Sequence, residues 1–216
     1  DAQITIGAYL KREDVRDSIV TNNMNVKSLD DLPFGSTIGT SSPRRINYIK
    51  NYRPDIKILS IRGNIDTRLK KVKDKKLSSI IIAKAGLNRI KFKDSQLNNF
   101  NIPISYIMPA AGQGAIAIVY KANNIKIKEI CNKLDHYDTR VKVDAERALI
   151  NKIGGDCNTP LATIAQIKQN NLQIIGRLFS IDGKSFVEKK IIFPKDKAKE
   201  AGIKCACEIL KEVNFK

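Results

Sequence analysis

Ile56-Lys57-Ile58-Leu59-Ser60-Ile61-Arg62-Gly63-Asn64-Ile65-Asp66-Thr67-Arg68 is the stretch that decides how this chain folds. Its first six residues alternate with the period of two expected of a strand. Gly63 permits a turn. From about Asn64 the pattern becomes helical, with Leu69 and Val72 on one face. Upstream, Gly39-Thr40-Ser41-Ser42-Pro43-Arg44-Arg45 follows a short strand and opens a helix, with Ser42 as N-cap and Pro43 at the first helical position. Downstream, Ser79-Ile80-Ile81-Ile82-Ala83 is an apolar run of the kind buried on both faces of a parallel sheet. Strand, helix, strand, helix, strand at this spacing predicts an α/β layer with right-handed crossovers.

Further out, Ile4 to Leu10 reads as a strand. Pro109-Ala110-Ala111-Gly112-Gln113-Gly114-Ala115 breaks the pattern, as a crossing between domains or a loop whose backbone approaches a ligand, and runs into a strand from Ile116 to Tyr120. An amphipathic helix from Asp138 to Ile153 places Val141, Ala145, Ala148 and Leu149 on one stripe and stops at Gly154-Gly155. Strands near Leu161–Ile167, Leu172–Leu178 and Ser185–Ile192 follow, turned by Asn170-Asn171 and Asp182-Gly183, and a helix from about Lys195 to Leu210 comes last. Helix, three antiparallel strands and helix predict a separate small α+β unit.

Composition narrows the function classes. With 216 residues the chain can bury a real core, and 42% hydrophobic residues is ordinary for a globular protein. No run approaches the roughly 18 apolar residues of a membrane span. The chain opens Asp1-Ala2-Gln3 as if inside a strand, without a signal core. Cys131, Cys157, Cys205 and Cys207 form no Cys-x-x-Cys pair, and His136 has no partner at ligand spacing, so no metal site is expected. Four cysteines in a chain this long suit reduced thiols in a cytoplasm. Cys131, Cys205 and Cys207 fall in helical patterns and read as packing, His136 as a loop or cap residue. Charge is the strongest signal: 39 basic against 22 acidic residues, net +17. Between Ile38 and Lys93, sixteen lysines or arginines stand against three aspartates. An anionic partner follows, and the arginines weigh more than the lysines because a guanidinium grips a carboxylate with two prongs.

Three loops carry chemistry. In Gly39–Arg45, backbone N–H groups, the hydroxyls of Thr40, Ser41 and Ser42 and the guanidiniums of Arg44 and Arg45 can converge on one anion. Taken alone, the motif reads better as an ordinary N-cap with solvated arginines. Arg62 stands at the C-terminal end of a strand, where open α/β sheets place ligands. Arg68 falls about one helical turn into the next helix, and Arg89 in Ala85-Gly86-Leu87-Asn88-Arg89 repeats the arrangement. Successive strand ends delivering arginine predict a cleft for several carboxylates or phosphates, unless Asp66 or Asp94 consumes Arg68 or Arg89. In Gly154-Gly155-Asp156-Cys157-Asn158-Thr159-Pro160, a cysteine on a glycine-rich loop is free to attack an electrophilic carbon. On local sequence alone, a buried packing cysteine is the better reading.

Together these motifs, with Leu10-Lys11-Arg12-Glu13-Asp14-Val15-Arg16-Asp17, Pro109–Ala115 and Ala145-Glu146-Arg147-Ala148, resemble the porphobilinogen deaminase (hydroxymethylbilane synthase) family in the family's order along the whole chain. The resemblance implies a multidomain α/β fold: two domains like the halves of a periplasmic binding protein, and a C-terminal α+β domain with a three-stranded antiparallel sheet. Residues 1–16 and 109–130 would be the remainder of domain 1, 17–108 domain 2 and 131–216 domain 3. It implies a cytoplasmic, monomeric transferase of tetrapyrrole and haem biosynthesis, with no nucleic-acid, membrane or metal partner. Four porphobilinogen units would be condensed stepwise into hydroxymethylbilane with loss of ammonia. The dipyrromethane cofactor would be held by a thioether at Cys157. Its carboxylates and those of the substrate would be bound by Thr40, Ser41, Ser42, Arg44, Arg45, Arg62, Arg68, Arg89 and Gln113, with Arg62 and Arg68 in the catalytic role. By the family pattern, roughly 90 N-terminal residues are absent. They would carry the family's catalytic aspartate, so this chain alone is expected to be inactive. Asp66 and Asp156 do not fall on that aspartate's position. Pro43 and Asp156 depart from the family's usual residues without removing a functional group.

Two other classes compete. A nucleic-acid-binding protein would use the basic segment Arg44–Lys93, but that segment has few aromatics and none of the recognised motifs. A non-catalytic anion-binding module explains the arginines and leaves Cys157 idle.

Overall fold

The computed structural model describes residues 4–156 and 158–213. Its strands and helices, in chain order, are β1 (Ile4–Tyr9), β2 (Asp17–Thr21), β3 (Thr37–Gly39), α1 (Pro43–Tyr52), β4 (Lys57–Leu59), α2 (Ile65–Lys73), β5 (Ser79–Ala83), α3 (Lys84–Arg89), β6 (Asn98–Asn101) and β7 (Ala117–Lys121). Then come α4 (Ile125–Leu134), α5 (Tyr137–Ile153), β8 (Leu161–Lys168), β9 (Asn171–Phe179), β10 (Phe186–Pro194) and, after a 3-10 turn at Lys195–Lys197, α6 (Ala198–Glu212).

The central sheet has the order β4-β3-β5-β2-β6. β3 pairs in parallel with both β4 and β5, joined by the crossover helices α1 and α2, as the alternation of strand and helix predicts. β2 runs antiparallel to β5 and β6, so the sheet is mixed. Local chemistry fixes the crossovers. The Ser42 hydroxyl accepts from the Arg45 N–H and Pro43 occupies the first turn of α1. The Asn64 side chain caps α2 at the Thr67 N–H, and Gly63 supplies the left-handed φ of 113° that the preceding turn requires. Leu69 and Val72 are the buried face of α2.

β1 and β7 form a separate antiparallel ribbon, Ile4 opposite Lys121, with a bulge between Ile6 and Ala8. α4 lies against it: a Cβ added at Gly7 would meet the Cys131 sulfur at 2.5 Å. α4 runs unbroken through residues 130 and 131.

The C-terminal strands make an antiparallel sheet, order β10-β9-β8, backed by α5 and α6. The two helices approach so closely that a Cβ on Gly202 would meet the Ala145 carbonyl oxygen at 2.1 Å. His136 caps α5 by accepting from the Thr139 N–H, and Gly154 ends it in the left-handed conformation. This unit is less separate than the sequence predicts. Ala162, Ile164 and Phe179 pack into one core with Ile19, Ile38, Tyr48, Ile49 and Ile81 of the central sheet and α1. The hairpin between β9 and β10 also grips α1, where Asn47 and Asn51 donate side-chain N–H groups to the Ser180 and Gly183 carbonyls at 3.2 and 2.5 Å. A buried ion pair completes the junction. Arg12 donates with two prongs to Glu146, both at 2.8 Å, and the same carboxylate accepts from the Gly112 and Ala165 N–H groups. Four donors on one fully buried carboxylate tie the chain before β2, the loop before β7 and the C-terminal sheet together.

Candidate functional site

Because β3, β4 and β5 run in parallel, the loops after them open on one edge of the central sheet. β2 runs the other way, so its first residue reaches the same edge: Asp17 lies opposite Ala83. Thr40–Arg45, Ser60–Arg68 and Lys84–Arg89 are thereby gathered on one rim, as the rule for open α/β sheets anticipates. Ser41 joins the first two loops: its hydroxyl donates to the Ile61 carbonyl at 2.8 Å and accepts from the Ile61 N–H at 3.0 Å. Thr40 is buried and its hydroxyl accepts from the Ser42 N–H.

The five arginines of this edge fall into two sets. Arg62 and Arg89 are exposed and Arg68 is half-buried. Arg68 donates to the Gly63 carbonyl at 2.8 Å and Arg89 to the Gly114 carbonyl at 2.9 Å. None of the three forms a salt bridge among the described residues. Asp94, a possible competitor, is taken by Lys73 at 2.5 Å, and Asp66 stands exposed in the first turn of α2.

Arg44 and Arg45 point inward. Arg44 meets Asp17 Oδ2 at 2.9 Å, donates to the Met108 carbonyl at 2.6 Å and to Gln113 Oε1 at 3.3 Å. Arg45 meets Asp17 Oδ1 at 2.7 Å and donates to the Ile81 carbonyl at 3.1 Å. Gln113 donates through Nε2 to the same Asp17 oxygen at 2.9 Å and to the Val15 carbonyl at 2.7 Å. Burial by itself would push the Asp17 carboxyl up, but the Arg44 and Arg45 guanidiniums hold it at about 2. Burial pulls the Arg44 guanidinium below its ordinary value, with Asp17 acting against it.

The sequence-predicted binding set therefore divides. The structure gathers Ser41, Arg62, Arg68 and Arg89 on an accessible rim. Arg44 and Gln113 it turns inward, where both contact Asp17. Thr40 and Ser42 serve their own turn and cap. Cys157 lies outside the described residues. On either side of it, the Asp156 carboxylate accepts from the N–H groups of Asn158 and Thr159 at 2.8 and 3.1 Å, and these contacts hold its pKa down. This leaves Asp156 a structural task. Past the loop, the Phe179 N–H donates to the Pro160 carbonyl, and Leu161 and Ala162 are buried, so the downstream end of the loop is anchored on the shared core.

Sequence reading missed Asp17 and Glu146. Asp17 closes the charged stretch Leu10–Asp17, which was read for its family likeness and not for a role of its own; its one physical signal is an acid at the head of the apolar run Ile19-Val20. Glu146 interrupts the apolar stripe of α5 between Ala145 and Leu149, where a buried acid demands a partner.

Comparison with known proteins adds two family models and a set of relatives. The model described as the porphobilinogen deaminase dipyromethane cofactor binding domain matches residues 1–129, and that of the porphobilinogen deaminase C-terminal domain matches residues 140–211. A porphobilinogen deaminase of Coxiella burnetii is 37% identical over 210 residues, covering 97% of this chain and 66% of the relative. Those of Clostridioides difficile and a Geobacter species are 36% and 38% identical, over 94% and 96% of this chain and 66% and 64% of their own lengths. The chain thus spans just under two thirds of these relatives. Among solved structures, a Salmonella typhimurium periplasmic binding protein with high arginine specificity aligns at a TM-score of 0.37 and 11% identity, over 59% of this chain and 56% of that one. Among the described residues, no helix is long and apolar enough to cross a membrane.

Proposed function

The chain belongs to the porphobilinogen deaminase family, and on that footing we propose that it provides the sheet edge and the anchoring cysteine of a hydroxymethylbilane synthase. The reaction would condense four porphobilinogen units and release ammonia. The observation that carries this reading is the trio Arg62, Arg68 and Arg89: three guanidiniums on one rim without a described acidic partner. Porphobilinogen bears an acetate and a propionate arm, so a growing oligomer gains carboxylates with each addition, and unpaired guanidiniums are the groups suited to hold them.

The described residues fit a dipyrromethane group in their donor chemistry. Arg62, Arg68, Arg89 and Ser41 would hold its carboxylates, with Arg45 at the inner margin, and Cys157 would supply the sulfur of the thioether. When bound, that group supplies the nucleophilic pyrrole carbon to which substrate is joined. The protein's own work is then positional. The arginines would orient the carboxylate arms and neutralise them, and Cys157, between α5 and β8 in the chain, would carry the tether. Each charge-assisted contact would contribute about 1.5–3 kcal/mol.

The general acid is a different matter. Asp17 is neutralised by two arginines, Asp14 is bonded by Arg16, and Asp156 is spent on its turn. With these carboxylates engaged, and Asp66 not at the position of the family's catalytic aspartate, the 216 residues by themselves should not turn over porphobilinogen, and turnover by the isolated chain would refute that. A cytoplasmic enzyme suits the thiols of Cys131 and Cys205, both buried and unpaired.

The decisive test is intact-mass spectrometry of the protein as its own cell makes it. The expected mass exceeds that of the polypeptide by one dipyrromethane, and Cys157→Ser removes the increment. An unmodified protein, indifferent to that substitution, would sink the assignment.

A further inference from the structure

The buried cluster at the head of β2 has an unbalanced charge. It holds two guanidiniums and one carboxylate, and its other polar member, Gln113, is neutral. The side chains of Asp17, Arg44 and Arg45 are 0, 4 and 11% exposed, so water screens them poorly. The nearby carboxylates do not make up the difference: Glu146 is held by Arg12 and Asp14 by Arg16. The first turn of α1, from which both arginines project, contains no acid, and the helix N-terminus adds partial positive charge. The Nε atoms of Arg44 and Arg45 are buried and bond no described group. One positive unit is therefore left over in a site where uncompensated charge is costly.

We propose that Asp17 sets the net charge of this site at one, so that a single ligand carboxylate seats against Arg45, the reachable member of the pair. Arg44 is the inner partner that lets Asp17 be present at all. The geometry supports this division. Asp17 bridges both guanidiniums, one through each oxygen, and Gln113 clamps the oxygen that Arg45 uses. Asp17 is thus a positioning residue: it touches no ligand itself, aims Arg45 and limits the appetite of the site for anions. Removing its charge would make the site grip a carboxylate too strongly, which an enzyme that must pass a lengthening acidic product along cannot tolerate. This last consequence rests on the proposed function; the charge count does not.

A four-member series tests the count. Arg44→Met brings the cluster to zero, the parent stands at one, Asp17→Asn brings it to two, and Asp17→Asn with Arg44→Met returns it to one. Calorimetric titration of the 216-residue chain with inorganic sulfate at low ionic strength should give affinity rising roughly tenfold with each added unit of charge. The double variant should match the parent. Sulfate bound elsewhere on so basic a chain adds the same background to all four. The idea is overturned if Asp17→Asn binds sulfate no better than the parent, or if the double variant follows either single change. Should Asp17→Asn fail to fold, Arg44→Met against the charge-balanced double variant still decides: equal affinities overturn it. Repeating the series with porphobilinogen separates the two claims. The sulfate order intact, with no porphobilinogen bound by any member, would leave the role of Asp17 standing and remove the functional reading.

Discussion

Arg44 and Arg45 on α1 and Arg62, Arg68 and Arg89 on the neighbouring loops come from similar motifs at the same sheet edge, yet they face opposite fates. The first pair is drawn inward by Asp17 and shares that carboxylate with Gln113. The trio is bonded only to backbone carbonyls or left to solvent. The difference lies in what arrives opposite each loop. β2 delivers Asp17 beside β5, within reach of the first turn of α1, whereas the acids near the trio are turned away: Asp94 to Lys73, Asp66 to solvent. An arginine's role is thus set by the antiparallel strand that enters its edge as much as by its own motif.

The sharpest way to break this comparison is to treat both sets alike. Asp17→Ala leaves two buried guanidiniums without their carboxylate and should cost about 3–5 kcal/mol of stability by chemical denaturation. A loss below about 1 kcal/mol would mean the inner pair is better hydrated than its burial implies.

The next largest effect runs the other way. Arg62→Ala or Arg68→Ala should leave stability within about 0.5 kcal/mol, since neither side chain holds the fold together. In the assembled enzyme either change should lower kcat/KM for porphobilinogen about tenfold to a hundredfold. If instead stability falls and kcat/KM holds, the trio is structural and the two sets are not different in kind.

Most of the α/β framework was legible in the residues, and the reasons are local. Ser42-Pro43 and Asn64 are capping signals that need no tertiary partner, and both helices begin where these signals stand. The run Ser79–Ala83 is β5. β2 and β6 were not legible. Asp17-Ser18-Ile19-Val20-Thr21 is buried at every position and Asn98-Asn99-Phe100-Asn101 at none, so neither shows the alternation by which a strand is recognised. The same gap hid the division of the arginines, because the residue that divides them heads β2. The exposed trio depends only on the order of strands and turns, which the residues do show.

A milder probe is acidification. The folded-state pKa of Asp17, at about 2, lies below its ordinary value of 3.8. Its contribution of about 2 kcal/mol is therefore fully present above pH 4 and lost as pH falls through 2. Denaturation midpoints measured across that range should show a step that Asp17→Asn abolishes. A step of the same size in the variant would assign the acid sensitivity to other carboxylates, such as Asp55 beside Arg53.

The smallest expected effect concerns Asp66, the one carboxylate that stands among the exposed trio's loops without an arginine. It sits in the first turn of α2, where its negative charge complements the helix N-terminus. Asp66→Asn should accordingly cost only about 0.3–1 kcal/mol of stability. With Arg62 and Arg68 in the same loop and helix, losing this negative charge should tighten carboxylate binding slightly, seen as a lower KM with kcat nearly unchanged. A proton-transferring acid would behave otherwise, with kcat falling by about two orders of magnitude or more and its pH profile losing a limb. That result would mean the trio surrounds its own catalytic group, and the exposed set would be an active site in itself and not only a grip for carboxylates.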